Sequence, residues 1–158
     1  MAYIYPAPGV SGVQATLSID IVANGSDSGM TVPALQDVTV NNANDIFSWT
    51  QLDSVAKNQI ATTSTNSLGM NLVLEQVTFF GDSTASANTA ANSGIFNLSK
   101  NKNKVGFSLY LGDVDDGTAG KTITGEGYVT GLAPTVSADA PVWVTPITIT
   151  VDGDYTVA

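Results

Sequence analysis

Residues 13–21 read VQATLSIDI, and this stretch decides the fold class. Valine, alanine, leucine and isoleucine occupy its odd positions, while glutamine, threonine, serine and aspartate occupy its even positions. Successive side chains of a β-strand point to opposite faces, so this strict period of two is typical of a strand with one buried face. The stretch therefore predicts a half-buried strand that places Leu17 and Ile19 in the structural core.

Further strands are predicted along the sequence, separated by residues that favour turns. Asn24-Gly25 supplies the backbone freedom of a tight turn, so residues 30–40 are expected to form a β-hairpin with residues 13–21. Pro33 cannot donate a ladder hydrogen bond and is expected at an edge, a bulge or a loop end. Ile95, Phe96 and Leu98 lead to the lysine-rich turn before residue 105, and about seven strands are predicted in all. Four more of them are residues 70–80, 105–111, 121–131 and 142–151. They add Phe107, Leu109, Val129 and Trp143 to the predicted core.

Residues 45–60 show a different period. Ile46, Trp49, Ala56 and Ile60 recur at spacings of three to four, or a multiple of them, which indicates an amphipathic helix. This helix is predicted to pack Trp49 and Leu52 into the core against a sheet. The chain is therefore expected to be an all-β domain over residues 1–158, an antiparallel β-sandwich or barrel with one flanking α-helix.

Two segments are predicted to lie outside this domain core. Residues 1–12 mix prolines and glycines with Tyr3, Ile4 and Tyr5, which is typical of an N-terminal arm. Residues 82–94 read DSTASANTAANSG and hold too few apolar side chains to pack by themselves, so a flexible loop is expected.

The composition excludes most catalytic classes. The sequence has no cysteine and no histidine, and its five basic residues are all lysines. Thiol nucleophiles, imidazole bases and Ser-His-Asp triads are therefore impossible, and the chain is predicted to be no enzyme and to need no cofactor. The run Asp113-Val114-Asp115-Asp116-Gly117 is similar to a calcium loop, but Thr124 stands where such a loop carries its last glutamate. A solvated hairpin turn is favoured there, and no metal site is predicted.

The charge disfavours nucleic acid as a tightly bound partner. Fourteen acids against five lysines give a net charge of −9, which repels phosphate groups but also keeps a polar surface soluble. Lys100, Lys102 and Lys104 alternate in one turn, and a solvated turn or a charge contact between subunits is favoured over phosphate binding. No run of about 18 apolar residues and no basic, apolar leader indicates a membrane span or a signal peptide.

The last third of the chain carries a family resemblance. A strand at residues 105–111 and a turn precede a Gly-x-Gly-x-Val-x-Gly-Leu element, and a closing strand follows at residues 142–151; the element comprises Gly125, Gly127, Val129, Gly131 and Leu132. This pattern resembles the end of the tail tube (major tail) proteins of long-tailed bacteriophages. The small-residue composition, rich in serine, threonine and asparagine, is also similar to that of virion proteins.

The resemblance implies a structural role in a virion tail, assembled in the host cytoplasm without a membrane. Six copies are expected to form a ring whose inner strands join into one barrel, and stacked rings form a conduit. The partners implied are copies of the chain, other tail proteins and passing genomic DNA that is not specifically bound. Glu75 and Glu126 are candidate acids of the lumen. Contacts between subunits are expected from the N-terminal arm, the 24–33 turn and the 82–94 loop, through Tyr3, Ile4, Tyr5, Asn24, Gly25, Pro33, Asp82, Asn88 and Gly94.

Two other functions fit parts of the sequence. A capsid decoration or cement protein would also be all-β, acidic and self-associating, but would end as a trimer or monomer on a shell. A carbohydrate-binding β-sandwich is disfavoured, because the chain has only two tryptophans, Trp49 and Trp143, and the first is assigned to a helix face.

Overall fold

The computed structural model describes residues 15–24, 29–32, 35–82, 89–112, 120–139 and 142–158. Its strands are β1 Ala15–Ile21, β2 Met30–Thr31, β3 Leu35–Thr50, β4 Lys57–Val73, β5 Lys104–Leu111, β6 Lys121–Leu132, β7 Val144–Val151 and β8 Thr156–Val157. Two α-helices accompany them, α1 Gln76–Phe80 and α2 Ala90–Lys100, and a short 3₁₀ turn spans Val22–Asn24. The predicted class, all-β with a flanking helix, is confirmed.

The described strands form one hydrogen-bonded sheet in the order β2-β1-β5-β6-β7-β4-β3, with β8 beside β6. Every pairing in it is antiparallel. β1 pairs with β2, as the predicted hairpin requires; among the described residues Met30 and Thr31 are in register with it, and the Val32 N–H donates to the Leu17 carbonyl at 2.8 Å. From Leu35 the chain belongs to β3 at the opposite edge of the sheet, where it pairs with β4.

The core lies on one face of this sheet. Alternate residues of β1, β5, β7 and β4 are buried there, including the predicted Leu17, Ile19, Phe107 and Leu109, and Val129 joins them from β6. The two helices cover this face with side chains that have no exposed surface: Phe79, Ala90, Ile95 and Leu98. The apolar half of each alternating strand therefore packs against the helices, and the polar half forms the outer face.

α1 and α2 meet through two glycines. Gly94 has φ 70° inside α2, a conformation that favours glycine, and Gly81 has φ 85° at the end of α1. A side chain at Gly94 would collide with the backbone of Phe80 and Gly81. Gly94 was predicted in a flexible loop, and this is wrong, because it is buried in the contact between the helices. α2 begins at Ala90, where Thr89 caps it by accepting a hydrogen bond from the Asn92 N–H at 3.2 Å.

The helix predicted at residues 45–60 is wrong. These residues form the distal parts of β3 and β4 and the turn between them, with Phe47 opposite Ile60 and Trp49 opposite Asn58. The segment of β4 that pairs with them, residues 57–66, is rich in threonine and asparagine. β-branched threonine favours an extended strand over a helix. Phe47 is also apolar but does not fit the spacing of three to four residues that suggested a helix. That spacing was therefore coincidental.

Three predicted core residues are exposed. Trp49 keeps 38% of its surface exposed, Leu52 is completely exposed in the turn, and Trp143 keeps 48% exposed just before β7. The strand predicted at residues 70–80 ends at Val73, and α1 follows it. The reason is local, because Glu75 caps α1 with its carboxylate and stops the strand.

Candidate assembly surfaces

Residues 41–66 project from the sheet as a two-stranded ribbon. β4 pairs with β7 only from Ser67 to Val73, whereas β3 and β4 stay paired with each other out to Thr50 and Lys57. At roughly 3.3 Å per residue, ten residues of β3 extend about 30 Å beyond the sheet. Among the described residues, no strand pairs with either outer edge of this ribbon. An isolated two-stranded ribbon is marginally stable in water, and its free edges are templates for pairing with another chain.

A β-bulge interrupts the strand pairing in the middle of the ribbon. The register shifts between Asn44 and Ile46, so Asp45 on β3 lies opposite both Thr62 and Thr63 on β4. Thr63 Oγ1 donates to Asp45 Oδ2 at 2.9 Å, and Thr62 Oγ1 donates to the Asp45 carbonyl at 3.2 Å. Bulges increase local twist and re-aim the side chains beyond them. The bulge therefore sets the direction in which the outer half of the ribbon presents its side chains.

The ribbon exposes large apolar side chains. Phe47, Trp49 and Ile60 lie on one face, and the Phe47 and Trp49 rings stack with centroids 6.0 Å apart. Phe47 and Ile60 keep 60% and 55% of their surface exposed. Leu52 and Val55 are completely exposed in the turn of residues 51–56, which we call the ribbon tip. Burying one such side chain stabilises an interface by about 1.5–3 kcal/mol, so the ribbon is suited to contact another protein surface.

The outer face of the sheet is polar along its width. Hydroxyl, amide and carboxylate side chains of neighbouring strands pair across it: Thr124 with Thr156 at 2.7 Å, Thr130 with Thr150 at 2.8 Å, and Asn71 with Asp37 at 3.0 Å. On β4, β6 and β7 these residues alternate with buried ones. Short side chains that hydrogen-bond to each other present few free donors to a ligand. These paired side chains are therefore expected to interact weakly with a ligand.

A groove of about 620 Å³ crosses this outer face at β1, β5, β6 and β8. Its lining contains four acids, Asp20, Glu126, Asp152 and Asp154, together with serine, threonine and glycine. No group of three metal-ligating side chains is present in the described part of the chain. The calcium-like run at residues 113–117 lies outside the described residues. The groove thus concentrates negative charge without forming a metal site in that part.

Lys104 is held at the border of the groove by two acids. Its Nζ lies 2.8 Å from Glu126 Oε2 and 3.1 Å from Asp152 Oδ2. The hydrogen bonds to Glu126 and then Asp152 raise the pKa of Lys104 above its ordinary value. Lys104 is therefore engaged within its own chain, while Lys100 and Lys102 are exposed and form no ion pair among the described residues. Lys100 and Lys102 are therefore the lysines of this turn that are best placed for the charge contact expected between subunits.

A second apolar patch lies at the end of the sheet opposite the ribbon. Val136, Val142 and Trp143 are each about half exposed, at 59%, 44% and 48%. A bridge between Thr135 and Val144 brings Val136 beside Trp143, and the Trp143 carbonyl accepts a hydrogen bond from the Leu74 N–H at 2.9 Å. Leu74 follows the end of β4, whereas the ribbon is the beginning of β4. We call Val136, Val142 and Trp143 the end patch.

The predicted subunit contacts fall largely outside the described part of the chain. Tyr3, Ile4, Tyr5, Gly25, Pro33 and Asn88 all lie there, so their role stays a prediction. Asn24 ends the 3₁₀ turn, and the Asp82 N–H donates to the Asn92 carbonyl at 3.1 Å. Of the candidate lumen acids, Glu126 lies on the polar outer face, but Glu75 lies at the start of α1 and not on a strand. The structure therefore does not bring these two acids together on one strand face.

Sequence reasoning missed the ribbon. A signal for its second strand was present, because residues 60–65 read IATTST and β-branched isoleucine and threonine favour an extended strand. The described helices are all too short or too polar to span a membrane.

No protein-family model matches the sequence, and no curated protein is similar to it in sequence. Solved structures do share its architecture. The chain is similar to a subunit of the tail of an empty gene transfer agent particle, refined with C6 symmetry, at 12% identity and a TM-score of 0.61 over 95% of this chain and 99% of that one. It is also similar to the SPP1 tail tube, at 10% identity and a TM-score of 0.64 over 93% of this chain and 78% of that one.

A third similar structure is the sheath/tube terminator of the PVC extracellular contractile injection system in the extended state. The identity is 15% and the TM-score 0.59, over 99% of both chains. Because the likeness covers nearly the whole chain in all three comparisons, the fold of this chain is that of tail and tube subunits.

Proposed function

We propose that this chain is a structural subunit of a phage-like tail tube, which self-assembles into stacked hexameric rings around a DNA conduit. Its fold, shared with tail and tube subunits of phage-like particles, supports this role. The proposal also assigns the chain to a particle tail, with copies of itself and other tail proteins as partners.

The ribbon is the observation that carries the proposal. It exposes an aromatic and aliphatic face, formed by Phe47, Trp49 and Ile60, and two strand edges that are unpaired among the described residues. In a monomer this apolar surface stays exposed to water and contributes no stability. A neighbouring copy can bury the apolar face and pair with a strand edge. In a closed ring, every copy would bury the apolar face of its ribbon against a neighbour in the same way.

The polar outer face is our candidate for the lumen wall. Its hydroxyl and amide side chains bond to one another, and Glu126 lies among them near Asp20 and Asp152. Acids on such a wall repel the phosphates of DNA, and paired hydroxyl groups offer the bases few donors. DNA would therefore pass along the wall without adhering to it.

Electron microscopy of the purified chain at high concentration tests the proposal. We expect hollow tubes or six-fold rings. In the triple variant Phe47→Ser, Trp49→Ser, Ile60→Thr, the ribbon loses its apolar face, so assembly should stop while the sheet core, which none of these residues joins, stays folded. The matched control is Ser48→Ala with Gln59→Ala, which changes the opposite face of the same strands and should still assemble.

Monodisperse trimers or monomers that bind capsids and never form rings would contradict the proposal and favour a decoration protein. Loss of assembly in the control as well as in the triple variant would show that the apolar face is not the determining surface.

A further inference from the structure

We infer that the ribbon tip of one copy docks on the end patch of the next copy, a head-to-tail contact that rests on the proposed function. The tip contributes Leu52 and Val55, and the patch consists of Val136, Val142 and Trp143. The occupant of the end patch is thus a second copy of this chain.

The position of the two surfaces favours contact between copies. β4 begins at Lys57, beside the tip, and ends at Val73, which pairs with Val144 next to the end patch. The 16 residue steps between them span roughly 50 Å of extended strand. Within one chain the tip therefore cannot reach the patch. Surfaces at opposite ends of one molecule match each other in a head-to-tail arrangement, which builds rings or filaments.

The two surfaces also match in chemistry. The tip presents two aliphatic side chains that are completely exposed in the described part of the chain. The patch offers an indole flanked by two valines, and aromatic side chains are common centres of protein interfaces. An aliphatic tip against an aromatic and aliphatic patch buries apolar surface on both partners.

The charges near the two surfaces have both signs, because the tip carries the exposed Asp53 as well as the neighbouring Lys57, and Lys57 is the charge that can pair with an acid beside the patch. Lys57 is exposed beside the tip and forms no ion pair among the described residues. Asp139 is exposed three residues after Val136, and its own backbone N–H donates to Ser137 Oγ at 3.3 Å. In a chain of net charge −9, a lysine placed opposite an acid reduces the repulsion between copies.

Disulfide trapping tests the contact. The sequence contains no cysteine, so the introduced cysteines are the only thiols that can form a disulfide. The variant Val55→Cys with Val142→Cys joins tip and patch. After mild oxidation under assembly conditions we expect a ladder of covalent multimers on a denaturing gel. The control is Val55→Cys with Val157→Cys, since Val157 is a valine on β8 away from the end patch and is at least as exposed as Val142. This pair should give no ladder.

The outcomes separate the inference from the proposed function. Rings or tubes in the microscope without a 55–142 ladder would overturn the docking contact and leave self-assembly intact. A ladder from the 55–157 pair, alone or in addition, would also overturn it, because the tip would then contact another surface or contact surfaces indiscriminately. If the unmodified chain forms no assembly at all, the proposed function itself fails.

A charge exchange gives a second test that does not depend on cysteine. Lys57→Asp should raise the concentration needed for assembly about three- to ten-fold, the effect of replacing one exposed attraction with a repulsion. Adding Asp139→Lys should restore the original value if the two side chains face each other. Failure of the second substitution to restore assembly would refute the Lys57–Asp139 pairing. Glu75 also lies near the patch but is unsuitable for this exchange, because it caps α1.

Discussion

At the scale of single residues, Glu75 shows how one side chain changes the course of the chain. Its carboxylate accepts hydrogen bonds from Thr78 Oγ1 at 2.6 Å, the Thr78 N–H at 2.8 Å and the Val77 N–H at 3.3 Å. These bonds, the Thr78 hydroxyl first, lower the pKa of Glu75 below its ordinary value of 4.5. The charged form is therefore the one that favours the folded state.

The sign of this shift fixes a pH dependence. A lowered pKa adds stability that is present above the ordinary pKa and is lost as the pH falls through the lowered one. Glu75→Gln should therefore unfold at a lower temperature than the unmodified chain at about pH 7, and at the same temperature near pH 2, where the carboxyl is neutral. Thermal unfolding at the two pH values measures this, with Asp53→Asn in the exposed tip as control. An equal difference at both pH values would show that charge is not the cause.

At the scale of elements, the contact between α1 and α2 depends on Gly94. Gly94→Ala should destabilise the fold by about 2 kcal/mol or more. The new methyl group would collide with backbone atoms of Phe80 and Gly81, and the positive φ is unfavourable for alanine. Gly153→Ala is the matched control, since Gly153 also has a positive φ, of 90°, but nothing lies within 4 Å of its position. It should cost about 1 kcal/mol, from the backbone alone. Urea unfolding compares the two, and equal losses would mean that the helix contact tolerates the methyl group.

Elements with a strict period of two could be predicted from the sequence. β1, β5 and β7 each have one buried face and one polar face, so the pattern of their side chains reports their structure directly. The ribbon could not be predicted in this way, because among the described residues Asn66 at its base is its one buried side chain, so its apolar residues do not follow the spacing of a buried face. α1 was missed for a different reason, since a five-residue helix holds too few residues to show a period and depends on the Glu75 cap.

At the scale of the whole molecule, the class was predictable and the topology was not. The alternation of residues 30–40 indicated a strand, but its transfer from the β2 edge to the β3 edge of the sheet depends on contacts between residues far apart in sequence. The same holds for the candidate site. The acidic charge was visible in the composition, whereas the groove that gathers Asp20, Glu126 and Asp152 exists only after β1, β5, β6 and β8 come together.

The net charge makes a prediction about assembly as a whole. Copies of charge −9 repel one another, while the surfaces proposed to join them are mainly apolar. Raising the salt concentration from about 20 mM to about 500 mM shortens the Debye length from roughly 20 Å to about 4 Å, so repulsion between copies falls and apolar burial is unaffected or strengthened. The concentration needed for tubes, measured by sedimentation, should therefore decrease with salt. An increase would mean that ion pairs between copies outweigh their net repulsion, and would place the Lys57–Asp139 contact, rather than the apolar ribbon, at the centre of the assembly.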